Sequence, residues 1–172
     1  MFYRLITKIR QWLVLICSKP YILLVGARRT GKTYCNLRLA VKSVKKGLNV
    51  VFFLPTKRMA GFVFDDLMRK LGNGLFFCKG RLQAVYKGKT ITFISTDDLR
   101  GWFLSQPTLP DVIIVDEVED MFMTVNDIDQ IRVIRNTRFD KVQLSGCPKN
   151  DMRILYQFNP KAVKVFQWKG WY

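Results

Sequence analysis

Apolar residues recur along the first seventeen positions at Phe2, Leu5, Ile6, Ile9, Leu13 and Ile16, with Arg4, Lys8 and Gln11 between them, the spacing of an amphipathic helix. Lys19-Pro20 ends that helix, and Tyr21-Ile22-Leu23-Leu24-Val25 follows as an apolar run of strand length. A helical pattern then covers 32–46 and stops at Gly47. A strand covers Val50–Leu54 and closes at Pro55. A second amphipathic helix covers 57–71, with Phe62, Phe64, Leu67, Met68 and Leu71 on its stripe, before the turn Gly72-Asn73-Gly74. Beyond it the period drops to two. Leu82–Tyr86 and Thr90–Ser95 alternate around Lys87-Gly88-Lys89, which predicts a hairpin beside the main sheet. The run 111–117 predicts a buried strand ending in carboxylates, 127–137 a helical stretch, and Lys141–Ser145 a strand that ends in Gly146-Cys147-Pro148. The tail alternates through Val163, Val165, Phe166 and Trp168.

Strands alternating with helices predict an α/β fold with a mainly parallel central sheet, helices on both faces and a ligand at the carboxyl ends of the strands. At 172 residues the chain suits one domain, divided into an N-terminal helix (1–19), a core (20–150) and a tail (151–172). The longest apolar run, Trp12 to Cys17, is far shorter than the ~18 residues that span a bilayer. It also lacks the length and cleavage site of a signal peptide. The expectation is therefore no membrane partner and a cytoplasmic location.

Charge narrows the partner. Lys and Arg number 29 against 13 Asp and Glu, a formal +16, which favours a polyanion and nucleic acid first, because each bound phosphate releases counterions. The chain has no histidine, so Ser-His-Asp and Cys-His chemistry is excluded and a general base must be a carboxylate or a lysine. Its four cysteines (Cys17, Cys35, Cys78, Cys147) have no zinc-site spacing and read as reduced, mostly buried thiols.

The chemistry enters at Gly26-Ala27-Arg28-Arg29-Thr30-Gly31-Lys32-Thr33, which fits the phosphate-binding loop G-x-x-x-x-G-K-[ST] and directly follows a predicted strand. Its glycines let successive N–H groups converge on a phosphate, Lys32 adds a charge for the β/γ phosphates, and Thr33 offers a hydroxyl to Mg²⁺. Asp116 and Glu117 complete an ATPase site from the end of a second buried strand. Asp116 would hold Mg²⁺ and Glu117 would take the proton of the attacking water. Glu119 and Asp120 are assigned to a solvated turn. Tyr21 and Gln11 are the nearest candidates for an adenine contact.

Further segments carry a resemblance. Phe53-Leu54-Pro55-Thr56-Lys57-Arg58-Met59-Ala60 resembles the strand-Pro-Thr-Arg-x-x-Ala element of helicase-like ATPases, and Gln143-Leu144-Ser145-Gly146-Cys147-Pro148 resembles their third motif, usually Ser-Gly/Ala-Thr-Pro. Lys89–Ser95, then Leu99-Arg100-Gly101, then the acid pair follow the order found in the ATPase domain of phage terminase large subunits. With Arg28 three residues before Gly31 and Arg135-Asn136-Thr137-Arg138 before the third-motif strand, the chain most resembles packaging ATPases of small phages that use a prohead RNA. The resemblance covers roughly residues 20–150.

It implies a P-loop, RecA-like core with an additional strand, working as a homomeric ring on a phage portal and driving double-stranded DNA into a procapsid. It also implies that Arg28 contacts the γ-phosphate in its own subunit, Arg135 (or Arg138) reaches a neighbour's nucleotide, and Ser145 senses loss of the γ-phosphate. Cys147 departs from the usual Thr. Terminases also continue into a metal-dependent nuclease, yet after Gly146 there is one acid, Asp151, and no nuclease activity is expected of these residues.

Candidate DNA contacts are Lys42, Lys45 and Lys46, the Lys57-Arg58 pair, Lys79 and Arg81, and the hairpin residues Lys87 and Lys89, with the hairpin foremost. The aromatic tail (Phe166, Trp168, Trp171, Tyr172) could stack on bases, but packing on the core or on a neighbouring subunit is favoured. Competing readings are a helicase-like or other DNA-remodelling ATPase, a small-molecule or nucleotide kinase, and a nucleotide-binding module without turnover.

Overall fold

The computed structural model describes residues 2–18, 21–26, 29–95, 110–117, 141–146 and 163–168. In chain order these form α1 (Phe2–Ile16), β1 (Tyr21–Gly26), α2 (Lys32–Lys45), β2 (Val50–Leu54), α3 (Lys57–Leu71), β3 (Phe76–Cys78), β4 (Gln83–Tyr86), β5 (Lys89–Ser95), β6 (Val112–Val115), β7 (Lys141–Gly146) and β8 (Val163–Trp168). A single 3₁₀ turn at Lys79–Arg81 joins β3 to β4. The strands make one sheet in the order β3-β4-β5-β2-β6-β7-β1-β8. From β5 to β8 every neighbouring pair is parallel, and only β4 runs against its partners. The order puts β7 between β1 and β6, the additional-strand arrangement the resemblance implied.

Burial explains the parallel core. All five residues of β2 and all four of β6 are buried, which requires cover on both faces and suits continuous apolar strands. On one face Val50, Phe52 and Leu54 of β2, Ile91 and Phe93 of β5, and Val112 and Ile114 of β6 meet Leu37, Ala40 and Val44 of α2 and Phe64 and Leu67 of α3. Phe93 stacks on Phe52 with ring centroids 5.2 Å apart, and Phe64 meets Phe93 edge-on at 5.7 Å. Cutting such a buried Phe to Ala costs about 3–5 kcal/mol. α3 begins where Thr56 Oγ1 accepts the Met59 amide at 3.2 Å, a standard N-cap.

The hairpin and α1 differ from expectation. The hairpin does not lie beside the sheet. β5 is one of its inner strands, paired along its length with β2 from Val50↔Ile91 to Leu54↔Ser95, and β4 and the unforeseen β3 extend that side. The threonines of β5 mimic a half-exposed strand, yet Thr92 is itself buried. The tail's alternation is that of β8, which pairs with β1 from Tyr21↔Val163 to Gly26↔Trp168.

α1 turns the other way. Ile9, Trp12, Leu13 and Ile16 are 42–56% exposed, whereas Gln11 and Val14 are buried against α2. Polar grips decide it. Arg38 donates to Gln11 Oε1 at 3.3 Å and Lys42 Nζ to the Leu15 carbonyl at 2.7 Å, drawing the Gln11 face inward onto Ile22, Leu24 and Cys35. The helix expected over 127–137 lies outside the described residues. Among the described residues no helix is long and apolar enough to cross a membrane.

Candidate active site

β1, β2, β5, β6 and β7 run in one direction, so their carboxyl ends share one edge of the sheet. Gly26, Pro55, Ser95, Asp116 and Gly146 lie there. The loop leaves β1 at Gly26 and enters α2 through Arg29 and Gly31, both with left-handed backbone, at φ 62° and 88°. The first such residue is strained for a side chain as large as arginine and the second is where glycine serves. Gly31 caps α2 without a side-chain bond, and the first turn contains no acid, so the helix presents its positive end undiminished. Lys32 is 4% exposed, and its Nζ donates to the Gly26 carbonyl at 2.6 Å, which closes the loop on itself. Thr30 and Thr33 are half-buried beside it and Arg29 is exposed. Ala27 and Arg28 lie outside the described residues.

The acids arrive from β6. Asp116 is 1% exposed and its amide donates to the Phe53 carbonyl at 3.1 Å, pinning the strand end to β2. Glu117 follows in left-handed backbone at φ 55°, a conformation that costs a non-glycine residue roughly 1–2 kcal/mol. Its Oε2 is buried. Strain of this kind concentrates where a side chain must be aimed. Between β6 and β1 runs β7, with Ser145 opposite Leu24 and Gly146 opposite Val25, so the third-motif strand stands next to both halves of the site. At about 4.8 Å per strand, the phosphate loop and the acid pair spring from strands about 10 Å apart. Buried charge is expensive, and here Lys32 and Asp116 are both buried at one edge of the sheet.

Two polar residues escaped sequence reading. Asn36, one helical turn after Lys32, is fully buried, and Ser95 at the end of β5 is 1% exposed on the same edge. The signal for Asn36 was a polar residue on the apolar face of α2 beside Cys35 and Leu39. Cys35 itself is buried, and burial pushes its thiol up to about 12, with Arg38 pulling weakly the other way, so it is inert at neutral pH. Cys78 is exposed, against the expectation of mostly buried thiols.

The adenine candidates do not converge on the loop. Gln11 is committed to Arg38, and Tyr21 begins β1 at the far edge, about 17 Å of strand from Gly26. The DNA candidates divide. Lys57 and Arg58 are exposed at the loop's edge, with Arg58 5.4 Å from the Phe62 ring centroid. Lys45, Lys46, Lys87 and Lys89 gather at the opposite, amino edge. Glu119, Asp120, Arg135, Arg138, Cys147 and the segment Leu99-Arg100-Gly101 lie outside the described residues.

The sequence matches no protein-family model and no curated protein. Solved structures do match. The large terminase ATPase domain of Thermus phage P74-26 superposes with a TM-score of 0.71 at 14% identity over 91% of this chain and 78% of that one. The large terminase of a thermophilic bacteriophage gives 0.69 at 17% identity over 92% of this chain, which spans 44% of that protein. The N-terminal domain of the DNA packaging ATPase of bacteriophage phi29 gives 0.61 at 15% identity over 91% and 92% of the two chains. The chain has the α/β fold of phage large-terminase ATPase domains and of the phi29 packaging ATPase.

Proposed function

We propose that this chain is a Mg²⁺-dependent ATPase that moves double-stranded DNA, the ATPase of a viral genome-packaging motor. The observation that supports it most is the presence of buried Lys32 on its phosphate loop and of buried Asp116 and strained Glu117 at one sheet edge, with only β7 between their strands. Solved packaging motors share the fold, and the positive charge suits a DNA partner.

The amides of the loop and of the first turn of α2 would hold the β and γ phosphates, with Lys32 neutralising charge as it builds on them. Thr33 and Asp116 supply hard oxygen donors few enough to leave room for water and phosphate oxygens, a set that fits Mg²⁺. The ion supplies charge neutralisation across the phosphates. Glu117 accepts the proton of the attacking water as the new P–O bond forms and the bond to ADP breaks. Arg28 is assigned to the γ-phosphate in its own subunit, Arg135 or Arg138 to a neighbour's nucleotide in a homomeric ring, and Ser145 to sensing γ-phosphate loss. Portal, procapsid and prohead RNA are the partners that the sequence resemblance adds.

Phosphate release by the purified chain, with and without duplex DNA, tests this reading. DNA-stimulated release is expected. Transfer of phosphate to a small acceptor would replace it with a kinase, and absence of turnover with a binding module.

A further inference from the structure

The amino edge of the sheet holds a second charged construction. α2 ends there with Lys45 and Lys46, and the β4–β5 turn brings Lys87 and Lys89 beside them. Lys45, Lys46 and Lys87 are exposed and Lys89 is half-buried. Lys45 Nζ stands 5.9 Å and Lys87 Nζ 5.6 Å from the centroid of the same ring, Tyr86. The two ammoniums are therefore no farther apart than the sum of those distances, about a Debye length at 0.1 M salt. Among the described residues none of the four lysines joins an ion pair. The acid described at this edge, Asp111, accepts the Asn49 amide at 2.7 Å.

Folding alone accounts for part of this. Lysines in the last turn of α2 complement the negative end of the helix. That does not extend to the hairpin. The two-residue turn Lys87-Gly88 has both φ values positive, 46° and 80°, as a type I′ turn requires, and Asn, Asp or Gly would sit at position 87 with less strain. The chain instead places a lysine there and folds it toward a ring that already carries another. Like charges converge where an anion is to be met.

We propose that Lys45 and Lys87, held at Tyr86, together with their neighbours Lys46 and Lys89 at the amino edge of the sheet, bind the phosphate backbone of a nucleic-acid duplex. The choice of duplex rests on the proposed DNA-moving ATPase; the convergence of charge does not. A duplex carries one negative charge per about 1.7 Å of axis, so a patch of this breadth meets several phosphates at once. A surface of lysines around one ring positions the backbone and reads no bases. Lys45 lies about 20 Å along α2 from Lys32, so duplex and nucleotide do not compete for one place.

The test is equilibrium anisotropy of short labelled DNA and RNA duplexes with the full chain, at several salt concentrations and without nucleotide. A chain that hydrolyses nothing still reports on the patch. Lys45→Glu/Lys87→Glu is expected to weaken binding tenfold or more at about 0.1 M salt and to lower the slope of log affinity against log salt by about two. Lys45→Gln/Lys87→Gln should show the same slope change with a smaller loss, and a cooperative thermal transition within a few degrees of the parent's shows that the fold of either variant is kept. Lys79→Glu/Arg81→Glu makes the same change in net charge at a rival candidate contact, the turn between β3 and β4, and should lose far less. Loss on DNA or on RNA supports the site and tells which duplex it takes. Unchanged affinity and slope on both, or equal loss from Lys79→Glu/Arg81→Glu, overturns it.

Discussion

α2 carries a lysine at each end, and the two are held in opposite ways. Lys32 is 4% exposed and bonded to the Gly26 carbonyl, whereas Lys45 is exposed and rests near the Tyr86 ring. The same helix, about 20 Å long, joins them. Taking an ammonium out of water costs several kcal/mol unless it is bonded, and at Lys32 the Gly26 carbonyl supplies that bond. The acids repeat the contrast. Asp116 is 1% exposed at the loop's edge, while Asp66 lies on the surface of α3, where the hydrogen bond from Lys70, with Arg69 adding to it, holds its carboxyl below the usual carboxylate range. Burial, more than residue type, separates the two ends of α2 and the two acids.

The strongest way to break this comparison is at the buried end. Lys32→Ala should reduce phosphate release by about 10²–10³-fold or more, since it removes the fixed charge beside the transferring phosphate. Asp66→Asn, a surface acid on α3, should leave release unchanged, and equal losses in the two variants would erase the distinction. Glu117→Gln comes next. It should lower turnover by about 10²–10⁴-fold while ATP still binds, measured with a fluorescent nucleotide, because the amide cannot accept the proton. Lost ATP binding in that variant would make Glu117 a residue that shapes the site rather than its base.

What could be read from the chain follows the same division. The places of the phosphate-loop motif between β1 and α2, and of Asp116-Glu117 at the end of β6, were legible because such motifs fix residue types at fixed spacing. β2 and β6 were legible because burial on both faces leaves an unbroken apolar run. The placement of β5 inside the sheet was not, since its Thr92 is buried by partners that local sequence does not name. Nor was the inward turn of Gln11 on α1, which depends on Arg38 and Lys42 of another helix. The meeting of Lys45 and Lys87 on Tyr86 is likewise a product of topology, as α2 and the β4–β5 turn reach one edge from distant stretches of chain.

Between its ends, α2 is tied to α1 by Lys42, whose Nζ lies 2.7 Å from the Leu15 carbonyl. Lys42→Met keeps the stem and removes the bond, which should cost about 1–2 kcal/mol. Thermal unfolding should then fall by about 2–8 °C.

The exposed end should show the smallest effect and a different dependence on salt. Lys45 and Lys46 face the negative end of α2, an interaction worth about 0.3–1 kcal/mol each at low ionic strength. Lys45→Ala/Lys46→Ala should therefore lower the unfolding temperature by a few degrees in dilute buffer, and the difference should vanish at about 1 M salt, where the screening length shrinks to about 3 Å. The bond made by Lys42 is part-buried and is screened much less, so the cost of Lys42→Met should persist at high salt. A loss from Lys45→Ala/Lys46→Ala that survived high salt would mean that these lysines hold the fold through their packed stems. The exposed end of α2 would then be structural, and its contrast with Lys32 would be one of degree.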